Sequence, residues 1–285
     1  MRTESVWAIE HECFGAMLQF IQNGAKGSVP SSFLGFKSKS NEATISGRTA
    51  VVQIQGVISH KTSWIEEFFG GVSAEKLAGT IRALGNDSGV KNIVLDIHSP
   101  GGEVYGTAEL GSAIRDVAQS KKVIAVANAV AASAAYWIAS QANEIVVTES
   151  GRVGSIGVIL MHYDWSKAME AAGVKATVIT SAPFKAEGYS EQPVTEEGMA
   201  EMQRVVDHYD AMFVSAVAKG RGTTENKVRK EFGQGRLVEA SRAVQLGMAD
   251  RVATRDRVLG KLTGDAARAE SENSLLALDS VLASL

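Results

Sequence analysis

The sequence predicts an α/β fold built on a mostly parallel sheet, followed by a C-terminal helical segment. Three observations predict it. Short apolar runs at 50–58, 92–98, 122–128 and 144–148 alternate with segments of 10–15 residues that repeat apolar positions at helical spacing. Each run holds at least three consecutive apolar residues (50–52, 93–95, 123–127 and 145–147) rather than apolar residues only at alternate positions, as strands covered on both faces do. After residue 195 the alternation stops and one long helical pattern begins.

Taken in order, residues 4–23 read as an amphipathic helix, and 24–48, rich in Ser, Gly and Lys, read as a linker. "AVVQIQGVI" at 50–58 is a strand. Residues 73–87 form a helix capped by Ser73, with Leu77, Ile81 and Leu84 on one face. "NIVLDIH" at 92–98 is the next strand, and 107–120 the next helix, with Leu110, Ile114 and Val117 repeating the spacing. A strand at 122–128 runs into a helix over 132–142. Strands at 144–148 and 175–180 flank a helix near 165–172. The long helix spans 195–219, with Thr195 as its cap and Met199, Met202, Val206, Tyr209 and Phe213 along one side. Shorter helices follow near 223–231 and 239–247. The chain therefore divides into an N-terminal helix and linker (1–48), a main domain (49–253) and a loosely ordered tail (254–285) that ends in an apolar stretch at 275–285.

Composition narrows the function. The chain has 285 residues, 45% of them hydrophobic and 21% charged, enough for a core that needs neither disulfide nor metal. A net charge of −3 without a basic block gives no reason to expect nucleic acid. One cysteine, Cys13, cannot form an intramolecular disulfide, and it and five scattered histidines have no metal-ligand spacing. Neither metal nor cofactor is expected. The first 20 residues include Glu4, Glu10 and Glu12 and lack an apolar stretch after a basic start, so a secretory signal is not expected. From Val123 to Asn143 there is no charge over 21 residues, a length that would cross a bilayer. Its alanine content and its Asn128, Ser133, Ser140 and Gln141 argue for a buried strand and helix, without a membrane anchor.

Three segments could carry chemistry. "HSPGGEVYG" at 98–106 places Gly101 and Gly102 at the carboxyl end of a strand, where open parallel sheets bind ligands. "ANAVAASAAYW" at 127–137 places Ser133 where a strand turns into a helix. A serine there is ordinarily an N-cap; as a nucleophile it would use the N–H of Ala134 against an oxyanion and would need a base and a second donor. "SAPFKAEGY" at 181–189 sets Lys185 among Pro183, Phe184 and Ala186; a loop lysine is ordinarily solvated, and a lysine base must be neutral, which apolar surroundings favour.

"HSPGG", "SAAYWIAS", "GRVGSIGVI", "SAPFKAEGY" and "EASRAVQLGMAD" together resemble, in order and interval, the S49 serine peptidases. These are the signal peptide peptidase A family, with a phage branch of head-maturation proteases similar to the lambda C protein. The resemblance covers about 49–253 and implies a ClpP/crotonase-like fold and a Ser–Lys dyad. On it, Ser133 is the nucleophile and Lys185 the general base, while the N–H groups of Gly102 and Ala134 form the oxyanion hole. Gly101 supports the turn; Gly154 and Gly157 let the chain pass the site, and Ser155 orients Lys185. His162, with Asp164 nearby, is the rival base of a Ser-His-Asp arrangement.

The resemblance also implies polypeptide substrates, a homo-oligomer with sites near subunit interfaces, and in some members a lysine supplied in trans. "VWAIEHECFGAML" favours the phage branch and a role inside the prohead, in the host cytoplasm. The alternatives are a soluble bacterial enzyme degrading signal peptides or membrane-derived peptides, a non-catalytic module, and an acyl-CoA hydratase on the same fold.

Overall fold

The computed structural model describes residues 6–23, 43–61 and 71–264. Eight strands form the main sheet. β3 (Thr49–Gln55), β6 (Asn92–Ser99) and β8 (Lys122–Ala132) lie side by side and parallel at its centre. β2 (Ala43–Ser46) closes one edge in an antiparallel hairpin with β3. β8 is long enough to seat two further parallel partners. Its first half takes β9 (Glu144–Val147), and its second half takes β10 (Arg152–Gly154). β11 (Leu237–Glu239) pairs antiparallel with β10, and β12 (Arg251–Val252) pairs parallel with β9. A smaller sheet has the order β1 (Trp7–Ile9), β7 (Gly101–Glu103), β4 (Val57–Ser59) and β5 (Gly71–Ser73).

The helices cover the sheet for the reasons their patterns give. α1 (His11–Gln22) starts where the Glu10 side chain accepts the N–H groups of Glu12 and Cys13. α2 (Ala74–Asn86) is capped by Ser73 and buries Leu77, Ile81 and Leu84. α3 (Thr107–Ala118) buries Leu110, Ile114 and Val117 beside it. Short α4 (Ala134–Ala139) lies wholly inside the protein. α5 (Ser166–Ala171) buries nothing. α6 (Glu196–Gly220) is capped by Thr195 and buries mainly its second half, through Phe213, Val214, Val217 and Ala218. α7 (Glu225–Glu231) and α8 (Ala240–Leu246) complete the C-terminal helices. No described helix is long and apolar enough to cross a membrane.

The charge-free run is core. Trp137 stacks on Phe213 with ring centroids 4.7 Å apart, and the Tyr136 hydroxyl donates to the Met248 carbonyl at 2.8 Å. Its C-terminal polar members are satisfied: Ser140 donates to the Trp137 carbonyl, and Gln141 donates to the Trp137 and Ala216 carbonyls while accepting from Arg115.

Several elements differ from the expectation. Residues 6–10 are not helical; Trp7–Ile9 is a strand, because β7 and Ile159 offer it ladders on both edges. Residues 43–48, read as linker, form the β2–β3 hairpin around Gly47 at φ +55. The strand expected over 50–58 breaks at Gly56, where φ is +81, and its end joins the second sheet. β8 extends four residues further than read, and α4 is correspondingly shorter. Residues 175–180 form no strand: they pair with nothing described, and every one of them is exposed. At 255–264 the expected loose tail is helical, and Val258 and Leu262 pack against Val51, Val94 and Ile124. The remaining linker (24–42) and the apolar stretch at 275–285 lie outside the described residues.

Candidate active site

Ser133 is delivered by a bent strand. The β6–β8 register shifts between Ile97 and Ser99, so that Ser99 faces Ala131. The extra length is taken up around Ala129, at φ +90. Side chains pin this bulge: Asn128 donates to Asp96 at 3.1 Å, and the Ala129 N–H donates to the Thr148 hydroxyl at 3.2 Å. A bulge bends its strand and re-aims the residues beyond it, and here it turns the strand end toward β7.

The serine itself is strained and sealed. Its backbone lies at φ 52, ψ −118, outside the regions open to L-residues at little cost. Its N–H donates to the Gly154 carbonyl at 2.7 Å. Ser133 sits at the N-cap position of α4, yet its side chain caps nothing. The Oγ is buried, with 0% of the residue exposed, and has no hydrogen-bond partner among the described residues. A buried hydroxyl without a bond costs about 1–3 kcal/mol. Neither capping nor packing explains why a serine stands there.

The Pro-Gly-Gly turn meets this point. Gly101 has φ +97, and a Cβ on it would lie 2.3 Å from the Ala8 carbonyl oxygen, 2.9 Å from the Ala132 oxygen and 3.0 Å from the Ala134 nitrogen. Only glycine fits, and its α-carbon brings β7, β1 and the start of α4 together. The turn is braced by Ser99, which donates to the Gly56 carbonyl at 2.6 Å and accepts the Gly101 N–H at 3.1 Å. Ala134, as the first residue of α4, carries an N–H with no partner inside the helix. Gly102 lies opposite Ala8 in the β1–β7 ladder.

Lys185 stands in a different setting. It lies at the end of sixteen consecutive exposed residues, 170–185, and on the wall of a cavity of about 420 Å³ shared with His162, Tyr105 and Val6. Since Ser133 Oγ has no hydrogen-bond partner, the structure does not join it to Lys185. Nor does it assemble the rival set: His162 Nε2 is buried without a partner, while Asp164 is exposed and accepts the Ser166 N–H at 2.9 Å. The hydrogen bonds from Ser166 are also the main cause holding the Asp164 carboxyl below its ordinary range. Ser155, at φ +53, gives its N–H to the Arg236 carbonyl and lines a separate cavity with Pro100 and Arg152.

Gly154 does more than let the chain pass, since its carbonyl holds the Ser133 N–H. Sequence reasoning missed this, and it missed β1, where Val6 and Ala8 enter one cluster and Trp7 and Ile9 another, a division that four consecutive apolar residues do not announce.

The protein-family model of peptidase family S49 matches residues 115–268. The chain belongs to peptidase family S49. It is 30% identical over 201 residues to the head-tail preconnector protein GP5 of Enterobacteria phage P21, covering 70% of this chain and 40% of that one. It is 33% identical over 187 residues to a putative signal peptide peptidase SppA of Enterococcus faecium (64% and 53%). To the capsid assembly protease C of Escherichia phage lambda it is 28% identical over 201 residues (70% and 45%). The chain thus spans about half the length of the curated relatives it matches. Among solved structures, a ClpP1 point mutant from Listeria monocytogenes aligns with a TM-score of 0.44 at 19% identity, over 73% of this chain and 93% of that one. Among the described residues no cluster of His, Cys, Asp and Glu could hold a metal ion.

Proposed function

We propose that this S49 chain is a serine endopeptidase in which Ser133 is the nucleophile and Lys185 the general base. The observation that carries the reading is the Ser133 hydroxyl, held buried on a strained backbone at a helix start and used for nothing structural. In the proposed reaction, neutral Lys185 takes the Ser133 proton as Oγ attacks the scissile carbonyl. The N–H groups of Gly102 and Ala134 receive the oxyanion, each contributing on the order of 10²–10³ in rate. The tetrahedral intermediate collapses to an acyl-enzyme and expels the amine, which carries away a proton from Lys185. A water deprotonated by Lys185 then releases the acyl group.

Because Lys185 lies on an exposed segment and makes no hydrogen bond to Ser133, the dyad forms when that segment docks, and a neighbouring subunit of a homo-oligomer is the proposed seat. The substrates are proposed to be scaffold and head proteins inside a prohead, which the names of the lambda and phage P21 relatives support. The SppA-named relative favours signal peptides as the second reading.

A fluorophosphonate probe is expected to label the wild type and not Ser133→Ala, whose thermal stability should equal or exceed that of the wild type, since no cap is lost and a buried, unbonded hydroxyl is removed. Labelling that survives Ser133→Ala would sink the assignment. Mass-spectrometric mapping of products from head, scaffold and signal-peptide substrates separates the two substrate readings.

A further inference from the structure

The nucleophile is inaccessible in this structure, and the chain's own strand β1 stands where a substrate must lie. The Val104 N–H donates to the Val6 carbonyl at 3.2 Å, and the Glu10 N–H to the Pro100 carbonyl at 2.7 Å. Antiparallel ladders alternate bonded and non-bonded pairs, so Ala8 and Gly102, midway between these two, form a bonded pair. The Gly102 N–H therefore points at the Ala8 carbonyl. That oxygen also lies beside Gly101, on the side facing the Ala134 nitrogen. On its other edge, Trp7 exchanges two hydrogen bonds with Ile159, at 2.9 and 2.8 Å. Residues 6–10 thus form an extended peptide clamped on both edges, with a carbonyl at the proposed oxyanion donors and a small side chain, Ala8, beneath it.

We propose that residues 6–10 are a built-in occupant of the substrate slot, holding the peptidase closed until they lift. This rests on the reading of Ser133 as nucleophile. It explains why Ser133 is 0% exposed. A substrate strand replacing β1 would take the same ladders by strand addition, with a small residue in the place of Ala8. β1 and α1 share one apolar cluster: Trp7 and Ile9 pack with Phe14, Met17, Phe20 and Val57, and the Trp7 and Phe14 rings lie 5.8 Å apart. The lift therefore takes Trp7 and Ile9 out of that cluster, which keeps the open form a minor population.

A disulfide across β1 and β7 tests this in the full chain. Trp7 and Glu103 face each other at a non-bonded position, where Cα atoms are about 4.5 Å apart, within disulfide range. Cys13 stays out of the exchange, since burial pushes its thiol up to about 12. In the Trp7→Cys, Glu103→Cys double variant, the oxidised form is expected to react with a fluorophosphonate at least about tenfold more slowly than the reduced form, as the open fraction falls. In the converse variant, Ala8→Pro removes the Ala8 N–H from the ladder and should label at least about tenfold faster than wild type. Equal rates for the oxidised and reduced forms overturn the proposal while leaving Ser133 as nucleophile. No labelling in any form, Ala8→Pro included, overturns the reading of Ser133 itself.

Discussion

The two halves of the proposed dyad sit in opposite kinds of structure. Ser133 is fixed from every side: by the parallel ladders of β8, by the Gly154 carbonyl, and by a helix whose Tyr136 and Trp137 are anchored on Met248 and Phe213. Lys185 ends a stretch with no strand partner among the described residues, in which Val174 is 51% and Ile179 91% exposed. The nearby first half of α6 is bare as well, with Met199 57% exposed. On the proposed reading, one chain builds the nucleophile completely and leaves the base to be positioned by something else, and an enzyme arranged so is idle as a lone chain.

The sharpest test of this contrast is complementation. Ser133→Ala and Lys185→Ala should each lose activity by about a thousandfold or more. Mixing the two under conditions of subunit exchange should restore part of it if the lysine is supplied by a neighbour. Peptide hydrolysis that stays at the background of either variant would place the dyad within one chain.

Next in size is damage to the fixed half. A Cβ at Gly220 would lie 1.8 Å from the Ser140 carbonyl oxygen, a backbone atom held by the core. Gly220→Ala should cost about 3 kcal/mol, read from denaturant midpoints; a change below about 0.5 kcal/mol would show that α6 shifts freely on α4.

Acid probes the same half more gently. Burial works to raise the Asp250 carboxyl, but hydrogen bonds from Arg221 and the Ile145 N–H outweigh it and hold it below its ordinary value. A carboxyl lowered in the folded state stabilises the protein above its unfolded value, about 3.9. That contribution fades as pH falls below about 3.9 and is gone below the folded value. Because Asp250 is partly exposed, Asp250→Asn should cost only about 1–2 kcal/mol at neutral pH. The variant should show a flatter loss of stability below about pH 4 in a melting series, and a loss parallel to wild type would remove the pair from the account.

The smallest effect belongs to the exposed half. Ile179→Lys should change stability by less than about 0.5 kcal/mol, since nothing described packs on it. It should nevertheless lower the assembled fraction in sedimentation or light scattering. A large drop in stability would mean the segment is already part of the core.

Legibility in the sequence followed the same division. The sheet was readable because buried parallel strands carry consecutive apolar residues, as at 50–52, 93–95 and 123–127, and the helices because Leu77, Ile81 and Leu84, or Leu110, Ile114 and Val117, repeat at helical spacing. Ser133 was readable as a strand-to-helix junction, though not as an uncapping one: whether a hydroxyl reaches the third N–H depends on ψ, which no residue name states. Residues 6–10 were misread because "VWAIE" satisfies both periods, and only distant Gly101–Glu103 and Ile159 decide between them. The 175–180 segment has strand composition and no edge to join, and composition does not report whether an edge is near. The 255–264 helix was missed because it presents only a short stripe, Val258, Leu259 and Leu262, to the sheet.

The anchors of α4 also set a clock. A ribosome that has reached residue 160 has already made Ser133, Gly101 and the strand that bears the proposed nucleophile. It has not made Phe213, on which Trp137 stacks, nor Leu237, which pairs with Gly154, nor Met248, which receives the Tyr136 hydroxyl. At about 5–20 residues per second, the missing stretch takes several seconds more to appear. On the proposed reading, a nascent chain is therefore born without a formed site, and even the fixed half of that site is complete only when synthesis is nearly done.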